Sequence, residues 1–521
     1  MTKGAIAAGH PETVTAARDV LESGGNAFDA ALAAMAMACV AEPVLASPGG
    51  GGFLLARQAS KPNQPVLYDF FSQTPRIRKP AEKVEFYPIL ADFGTATQEF
   101  HIGAGSIATP GMVPGMFAIH NDLCLMPIGD ILQPAITCAK SGVMVNKFQS
   151  YLFGVVEAIF KRESASLACF GSPQGGLAKE GDIIKNPDMA DMFDALSREG
   201  EALFREGDVA REICALCDDH GSHMNSDDLR LYQVERREPL ISEYRDCKII
   251  TNPGPSTGGV LIGFALALQE RIRLCDNVYG SRDYYKTLAQ VMDATNRARL
   301  ESGLDAGLED SGLQSMLDEK FLAHYADYIL GRPAALKGTT HISIVDGHGN
   351  TAALTLSNGE GCSHMVSGAG FMLNNMLGEE DINPLGFNEW PQNVRLCSMM
   401  APTIMEHGDG KVTVLGSGGS NRIRTALLQV ILNLIDHGLE LQEAIEAPRI
   451  HYENSMLNSE CLADSMIIGA LQNDFEGALD WKNKNMFFGG VHAVSILQND
   501  GCSAEYQAVG DLRRDGAICY C

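Results

Sequence analysis

Thr339-Thr-His-Ile-Ser-Ile-Val-Asp346, Gly347-His-Gly-Asn350 and Thr351-Ala-Ala-Leu-Thr-Leu-Ser357 decide the fold class. The first and third runs alternate and are rich in β-branched residues, which suit a pleated surface, and the glycines between them favour a turn. Together they predict a β-hairpin. Downstream, Lys411 to Leu415 predicts a strand, Gly416-Ser-Gly-Gly-Ser420 a tight turn, and Ile423 to His437 a helix. Upstream, Pro11 to Ser23 and Ala27 to Ala41 read as helices, stopped by Gly24-Gly25-Asn26 and by Glu42-Pro43, and Phe53 to Ala56 reads as extended. Glycine frees φ and proline lacks an N–H, so both mark these breaks. From Asp130 to about Asp310 most segments carry helical patterns, apart from an extended piece at 247–253 and the turn that follows it. Strands and helices mix without a regular βαβ repeat, so the class is α/β or α+β with a substantial sheet. No repeat or low-complexity linker marks a domain boundary.

Composition narrows the function classes. The chain has 521 residues, 45% apolar and 20% charged, an ordinary globular balance. Its formal charge of −25 would repel nucleic acid and anionic membrane surfaces, so neither is expected as a partner. The longest apolar stretch, Ala30 to Val40, is about half of the roughly 20 residues a membrane span needs. The start has no apolar run of the signal-peptide kind, which makes a cytoplasmic location the expectation, or a periplasmic or secreted one if a leader was removed before this numbering. Fourteen scattered cysteines suggest reduced thiols. Cys214-x-x-Cys217 has no second pair and sits in a helical pattern, which favours packing over zinc or redox chemistry. Cys519 and Cys521 could form a reactive pair, but nothing in the sequence gives them a role.

Three groups of residues can carry chemistry. Thr339 follows Gly338, and a threonine hydroxyl becomes a useful nucleophile when its own α-amine is the chain terminus and acts as base. That requires the Gly338–Thr339 bond to break, and glycine offers least steric resistance there. On the residues alone, Gly-Thr-Thr reads first as the plain start of a strand, a common pattern. Second, Val414 to Arg422 leads from a strand through glycines into a helix, a geometry that presents backbone N–H groups to an oxyanion or a phosphate. It lacks the lysine of a phosphate loop, and Asn421 breaks the dinucleotide fingerprint. Third, Asn374-Asn375 precedes Glu379-Glu380-Asp381, an acidic run suited to an ammonium group or to solvent. No histidine pair at ligand spacing accompanies it, so neither a metal nor any other cofactor is expected.

In this order the motifs resemble the γ-glutamyltranspeptidase family over nearly the whole chain. The matching stretches are Gly24-Gly-Asn-Ala-Phe-Asp-Ala-Ala31, Glu42-Pro43, Gly49-Gly-Gly-Gly-Phe53, Thr109-Pro-Gly-Met-Val-Pro-Gly115 and Asn252-Pro-Gly-Pro-Ser-Thr-Gly-Gly259. Thr339-Thr340-His341, Asn374-Asn375, Ala401-Pro-Thr403, residues 416–423 and Glu446-Ala-Pro-Arg449 complete the set. The resemblance implies a four-layer αββα N-terminal-nucleophile hydrolase, cut between Gly338 and Thr339 into segments 1–338 and 339–521 that form one intertwined domain. It also implies a heterodimer of those fragments, with any further oligomerisation left open.

The implied activity is acyl transfer or hydrolysis on γ-glutamyl amides such as glutathione, with water, an amino acid or a peptide as acceptor. A related acylase taking glutaryl or cephalosporin-type acyl groups is the alternative. A non-catalytic protein binding a small molecule or nucleotide at the 416–420 turn is the reading from another class. By resemblance, Thr339 is the nucleophile, Ser357 takes the place of a threonine that bonds it, and the Gly419 and Ser420 N–H groups hold the oxyanion. Asn358, Asn375, Glu379, Glu380, Asp381 and Ser398 are the implied substrate contacts. Three positions depart from the family pattern. Phe71 stands where an arginine receives the substrate carboxylate, Met399 replaces a serine beside it, and Met376 follows the asparagine pair. Arg76 and Arg78 are the alternative sources of that charge, and substrates without the carboxylate are expected to fare relatively better.

Overall fold

The hairpin forms where the alternation places it. Thr340–Asp346 pairs antiparallel with Thr351–Ser357, Thr340 lying opposite Leu356. Every residue of both strands is buried, so the runs of Ile, Val, Leu and Ala pack on both faces of the sheet. The computed structural model describes residues 4–92, 97–272, 274–302, 339–383, 385–453, 455–462, 464–475, 477–498 and 504–521. Gly338, on the far side of the expected cleavage point, lies outside them.

The hairpin is the centre of a seven-stranded antiparallel sheet. Gly4–Ala8 and then Ala517–Tyr520 flank Thr340–Asp346 on one side. Gly51–Arg57, Val66–Asp69 and Glu235–Arg237 follow Thr351–Ser357 on the other. A second, six-stranded sheet runs Glu505–Val509, Gly490–Leu497, Val412–Gly418, Thr403–His407, Cys247–Thr251 and Leu240–Tyr244.

Alternation sorts the hairpin's side chains between two cores. Ile342, Ile344, Leu354 and Leu356 face helices Pro11–Glu22 and Ala27–Ala41. Val345 and Ala353 face Ile404, Val414 and Val491 of the second sheet. Helices Gly258–Ile272 and Arg422–Ile435 cover that sheet's outer side, with Arg282–Ser302 packed against the first of them. The order helix, sheet, sheet, helix is the expected four-layer sandwich.

Local chemistry explains the ends that matter. Asn26 accepts from Phe28 N–H (2.8 Å) and Asp29 N–H (3.0 Å), and Asp29 accepts from Asn26 N–H in return (2.8 Å). This capping box starts an Ala-rich helix that is buried all round and delivers Glu42 to the sheet.

One expectation needs correcting. The strand expected to stop at Leu415 continues through Gly416, Ser417 and Gly418, paired with His492, Val491 and Gly490. A Cβ on Gly416 would lie 2.2 Å from Cε1 of His341, and one on Gly418 would lie 2.0 Å from the Thr339 carbonyl oxygen. These glycines permit close approach between sheets, and the turn itself is confined to Gly419, Ser420 and Asn421. Cys214 and Cys217 sit within helix Asp208–Asp219, Cys217 buried, as the packing reading expects. Among the described residues no helix is long and apolar enough to cross a membrane.

Candidate active site

Thr339 is buried at the mouth of its strand, one residue before the first hairpin pair. Continuing the register by one step sets it opposite Ser357, and both line one small cavity between the sheets, about 30 Å³ in volume. The Thr339 carbonyl accepts from Arg514 Nη1 at 2.8 Å. That arginine comes from the short turn Leu512–Arg514, which Asp511 caps by accepting from Arg513 N–H at 3.0 Å.

Opposite Thr339 the backbone turns sharply. Gly419 has φ +126° and Ser420 φ +53°, two successive left-handed residues leading into helix Arg422–Ile435. Such a turn aims consecutive N–H groups to one side, at the start of a helix whose dipole favours negative charge. Ser420 lines the cavity. Behind the turn, the Thr339 carbonyl and the Arg514 guanidinium pack directly against Gly418 and Gly419.

The surrounding titratable groups are buried and hydrogen-bonded. Arg514 has its pKa brought down to about 10 by burial, against the opposing charges of Asp511 and Glu42, so it is a cation at neutral pH. Glu42 accepts from Thr340 Oγ1 (2.8 Å) and Thr13 Oγ1 (2.9 Å). Burial pushes Glu42 up to about 7, while those two bonds and Arg514 pull it down. On the same strand face as Thr339, His341 bonds Thr355 Oγ1 through Nδ1 (2.8 Å) and Ser343 Oγ through Nε2 (2.9 Å). Ser343 donates its own proton to the His492 carbonyl, so Nε2 carries the ring proton and Nδ1 accepts from Thr355. Burial, and secondarily His492, holds this imidazole well below its ordinary pKa. It is neutral, and both nitrogens are engaged within the strand pair.

The expected catalytic and substrate-binding residues divide into two groups. Ser357, Glu379, Ser398 and Ser420 line the cavity with Thr339. Asn375 does not: its Oδ1 accepts from Glu360 N–H (2.9 Å) and Gly361 N–H (3.3 Å), which makes it a clamp on the loop after Ser357. Asn358 is buried at the head of that loop, outside the lining, and Glu380 is exposed. Asp381 belongs to the short turn Glu380–Ile382. Asn374 is wholly structural, bonding Gly49 O, Ala108 N and Ala108 O.

The rest of the cavity wall is apolar. Phe71 stacks on Phe53 at 5.5 Å, with Met376, Met399 and Ile423 around it. Neither alternative arginine reaches the cavity: Arg78 Nη1 donates to Asn388 O at 2.7 Å, and Arg76 lies beside Leu231 and Asp228. Arg395 sits behind Phe71, bonding its carbonyl and pairing with buried Asp69 at 3.2 Å. Among the described lining residues none is a cation. Sequence reasoning missed Arg514 and Glu42. The Asp511-Leu-Arg-Arg514 run near the C-terminus and the acid closing an apolar helix were the available signals.

Comparisons with known proteins give the family and the fold. A sequence profile described as Gamma-glutamyltranspeptidase matches residues 13–521. The chain is 26% identical to a glutathione hydrolase proenzyme of Bacillus subtilis (strain 168), over 99% of this chain and 91% of that one. It is 28% identical to an Acylase ACY 1 proenzyme of Pseudomonas sp. (strain SE83), over 88% and 84%. The crystal structure of a cephalosporin acylase from Bacillus halodurans shares the fold, with TM-score 0.82 at 21% identity over 99% of this chain and 96% of that one.

Proposed function

The chain belongs to the γ-glutamyltranspeptidase family, and from that premise we propose that it cuts itself before Thr339 and then hydrolyses or transfers the acyl group of γ-glutamyl or related acyl amides. The observation that carries the reading is Thr339 itself, lining a cavity shared with Ser420 while Arg514 fixes its carbonyl. In maturation, the Thr339 hydroxyl attacks the Gly338 carbonyl, the acyl group moves from nitrogen to oxygen, and water hydrolyses the ester. Segments 1–338 and 339–521 then remain together as a heterodimer, because both contribute hydrogen-bonded strands to each of the two sheets.

The freed α-amine, with a pKa near 7.7–8.0 in an ordinary setting, takes the hydroxyl proton as Thr339 attacks the substrate amide. Negative charge develops on the carbonyl oxygen, where the Gly419 and Ser420 N–H groups receive it. Collapse expels the amine and leaves a Thr339 ester. Water, an amino acid or a peptide then takes the acyl group. Ser357, opposite Thr339, supports the hydroxyl.

The apolar wall favours a second shade of this reading, in which the acyl pocket does not select for an α-carboxylate. Phe71 and Met399 offer no donor, and the lining has no cation. Glu379 is the charged group present, suited to an α-ammonium. Matched γ-glutamyl, glutaryl, 4-aminobutyryl and butyryl anilides separate the two groups. Removing the carboxylate is expected to change kcat/KM less than about tenfold. A drop beyond about a hundredfold, the loss of more than one charged hydrogen bond, overturns the reading of Phe71.

A further inference from the structure

Away from the Thr339 cavity, four segments distant in sequence converge. Glu85 precedes strand Tyr87–Asp92, Glu163 caps helix Ser164–Phe170, His220 closes helix Asp208–Asp219, and His364 lies in the loop beyond Ser357. His364 Nε2 is 2.6 Å from Glu85 Oε2, and its Nδ1 makes a short bond to Glu163 Oε1. His220 Nδ1 is 4.0 Å from the same Glu85 oxygen, and the two imidazoles lie 4.1 Å apart. One ligand atom from each of Glu85, His220 and His364 falls within 4.8 Å of the others.

We propose that Glu85, His220 and His364 bind a divalent transition cation of the zinc type, oriented by Glu163. Two imidazole nitrogens and a carboxylate oxygen are a zinc ligand set that leaves a fourth position for water. The Glu163 carboxylate supplies the element that separates a metal histidine from an ordinary one: it receives Nδ1–H and so directs Nε2 at the ion. Bonds of about 2.0–2.2 Å in a tetrahedron put ligand atoms about 3.4 Å apart. Glu85 Oε2 therefore draws back slightly from His364 and His220 swings in. Both side chains have the solvent exposure to move, at 28% for Glu85 and 44% for His220, while His364 is buried at 4%.

Backbone bonds hold the frame. Glu85 N–H donates to Gly221 O at 3.0 Å, beside His220, and Met365 N–H donates to Glu163 Oε2 at 3.4 Å, beside His364. Arg162 lies 3.9 Å from the other Glu85 oxygen, Oε1, and stacks over Tyr87, which leaves Oε2 to the ion. Both His364 nitrogens face carboxylate oxygens, Nδ1 that of Glu163 and Nε2 that of Glu85. If the chain is cut before Thr339, as proposed above, three of these groups lie on the longer fragment and His364 on the shorter, so the ion ties them together.

The test uses tag-free full-length protein, stripped with chelator and titrated with Zn²⁺ by calorimetry, with Co²⁺ absorption reporting tetrahedral geometry. The expected result is one zinc per chain, in wild type and in an uncleaved Thr339→Ala chain alike, which keeps this claim independent of processing. His220→Ala, at an exposed position, is expected to weaken binding at least about a hundredfold. Glu163→Gln is expected to weaken it roughly 10- to 100-fold without removing a ligand. No saturable zinc uptake, or equal affinity in His220→Ala and wild type, would show His364 to be a metal-free bridge between two carboxylates and overturn the proposal.

Discussion

Arg514→Gln tests how the nucleophile is positioned. Arg514 is fully buried, and its Nη1 holds the Thr339 carbonyl at 2.8 Å, fixing the peptide plane from which the Thr339 side chain projects. A hydrogen bond from a charged donor contributes about 1.5–3 kcal/mol, so losing it frees that plane by roughly ten- to a hundredfold in population. Reaction needs the hydroxyl in near-attack geometry, and the rate falls with the fraction of chains that hold it. Self-cleavage and kcat are therefore both expected to drop roughly 10- to 100-fold. KM is expected to stay within about twofold, since Arg514 does not line the cavity and the bond it makes does not depend on substrate. Arg514→Lys keeps the charge with a less rigid donor and should recover part of the loss. Asp511 retains Arg449 at 2.7 Å and Arg513 at 3.1 Å, so the turn itself should survive, which a thermal melt checks. The assays are the first-order appearance of fragments on a denaturing gel and steady-state anilide hydrolysis. Wild-type rates in a folded Arg514→Gln protein, or a loss confined to KM, would refute the positioning argument.

Gly419→Pro removes an oxyanion donor and cannot adopt φ +126°, so kcat should fall by at least ~10²–10³, whereas Ser420→Ala keeps its N–H and should be mild. Equal damage from both would assign the role to the Ser420 side chain instead of the backbone. Glu42, pushed up to about 7 by burial, keeps a proton in the native state between about pH 4.5 and 7 that the unfolded chain has lost. Its contribution is therefore full below pH 4.5 and declines by about 3 kcal/mol as pH rises to 7. Denaturant unfolding across that range should lose this component in Glu42→Gln, and identical pH slopes in the two proteins would contradict it.

Much of the scaffold was legible because it is written in local pattern. The hairpin follows from alternation, and the Ala27–Ala41 helix from its apolar run between the Gly24-Gly25-Asn26 and Glu42-Pro43 breaks. What escaped depends on contacts the chain makes only after folding. Arg514 meets Thr339 across 175 positions, and Glu42 meets Thr340 across 298. Gly416 and Gly418 looked like turn residues, yet they are strand residues kept small for His341 and for the Thr339 backbone. Asn375 looked like a ligand of substrate and clamps a loop, because an amide placed among free loop N–H groups serves either purpose. Glu85, Glu163, His220 and His364 share no spacing that marks them as neighbours, and only the fold brings them together.

The central claim, that Thr339 becomes the N-terminal nucleophile, is tested most directly by a denaturing gel of purified protein with N-terminal sequencing of the shorter fragment. The account predicts fragments 1–338 and 339–521, the shorter beginning Thr-Thr-His-Ile-Ser, and a single inactive chain in Thr339→Ala. A shorter fragment beginning at any other residue, or a Thr339→Ala chain that still cleaves and turns over, would contradict it.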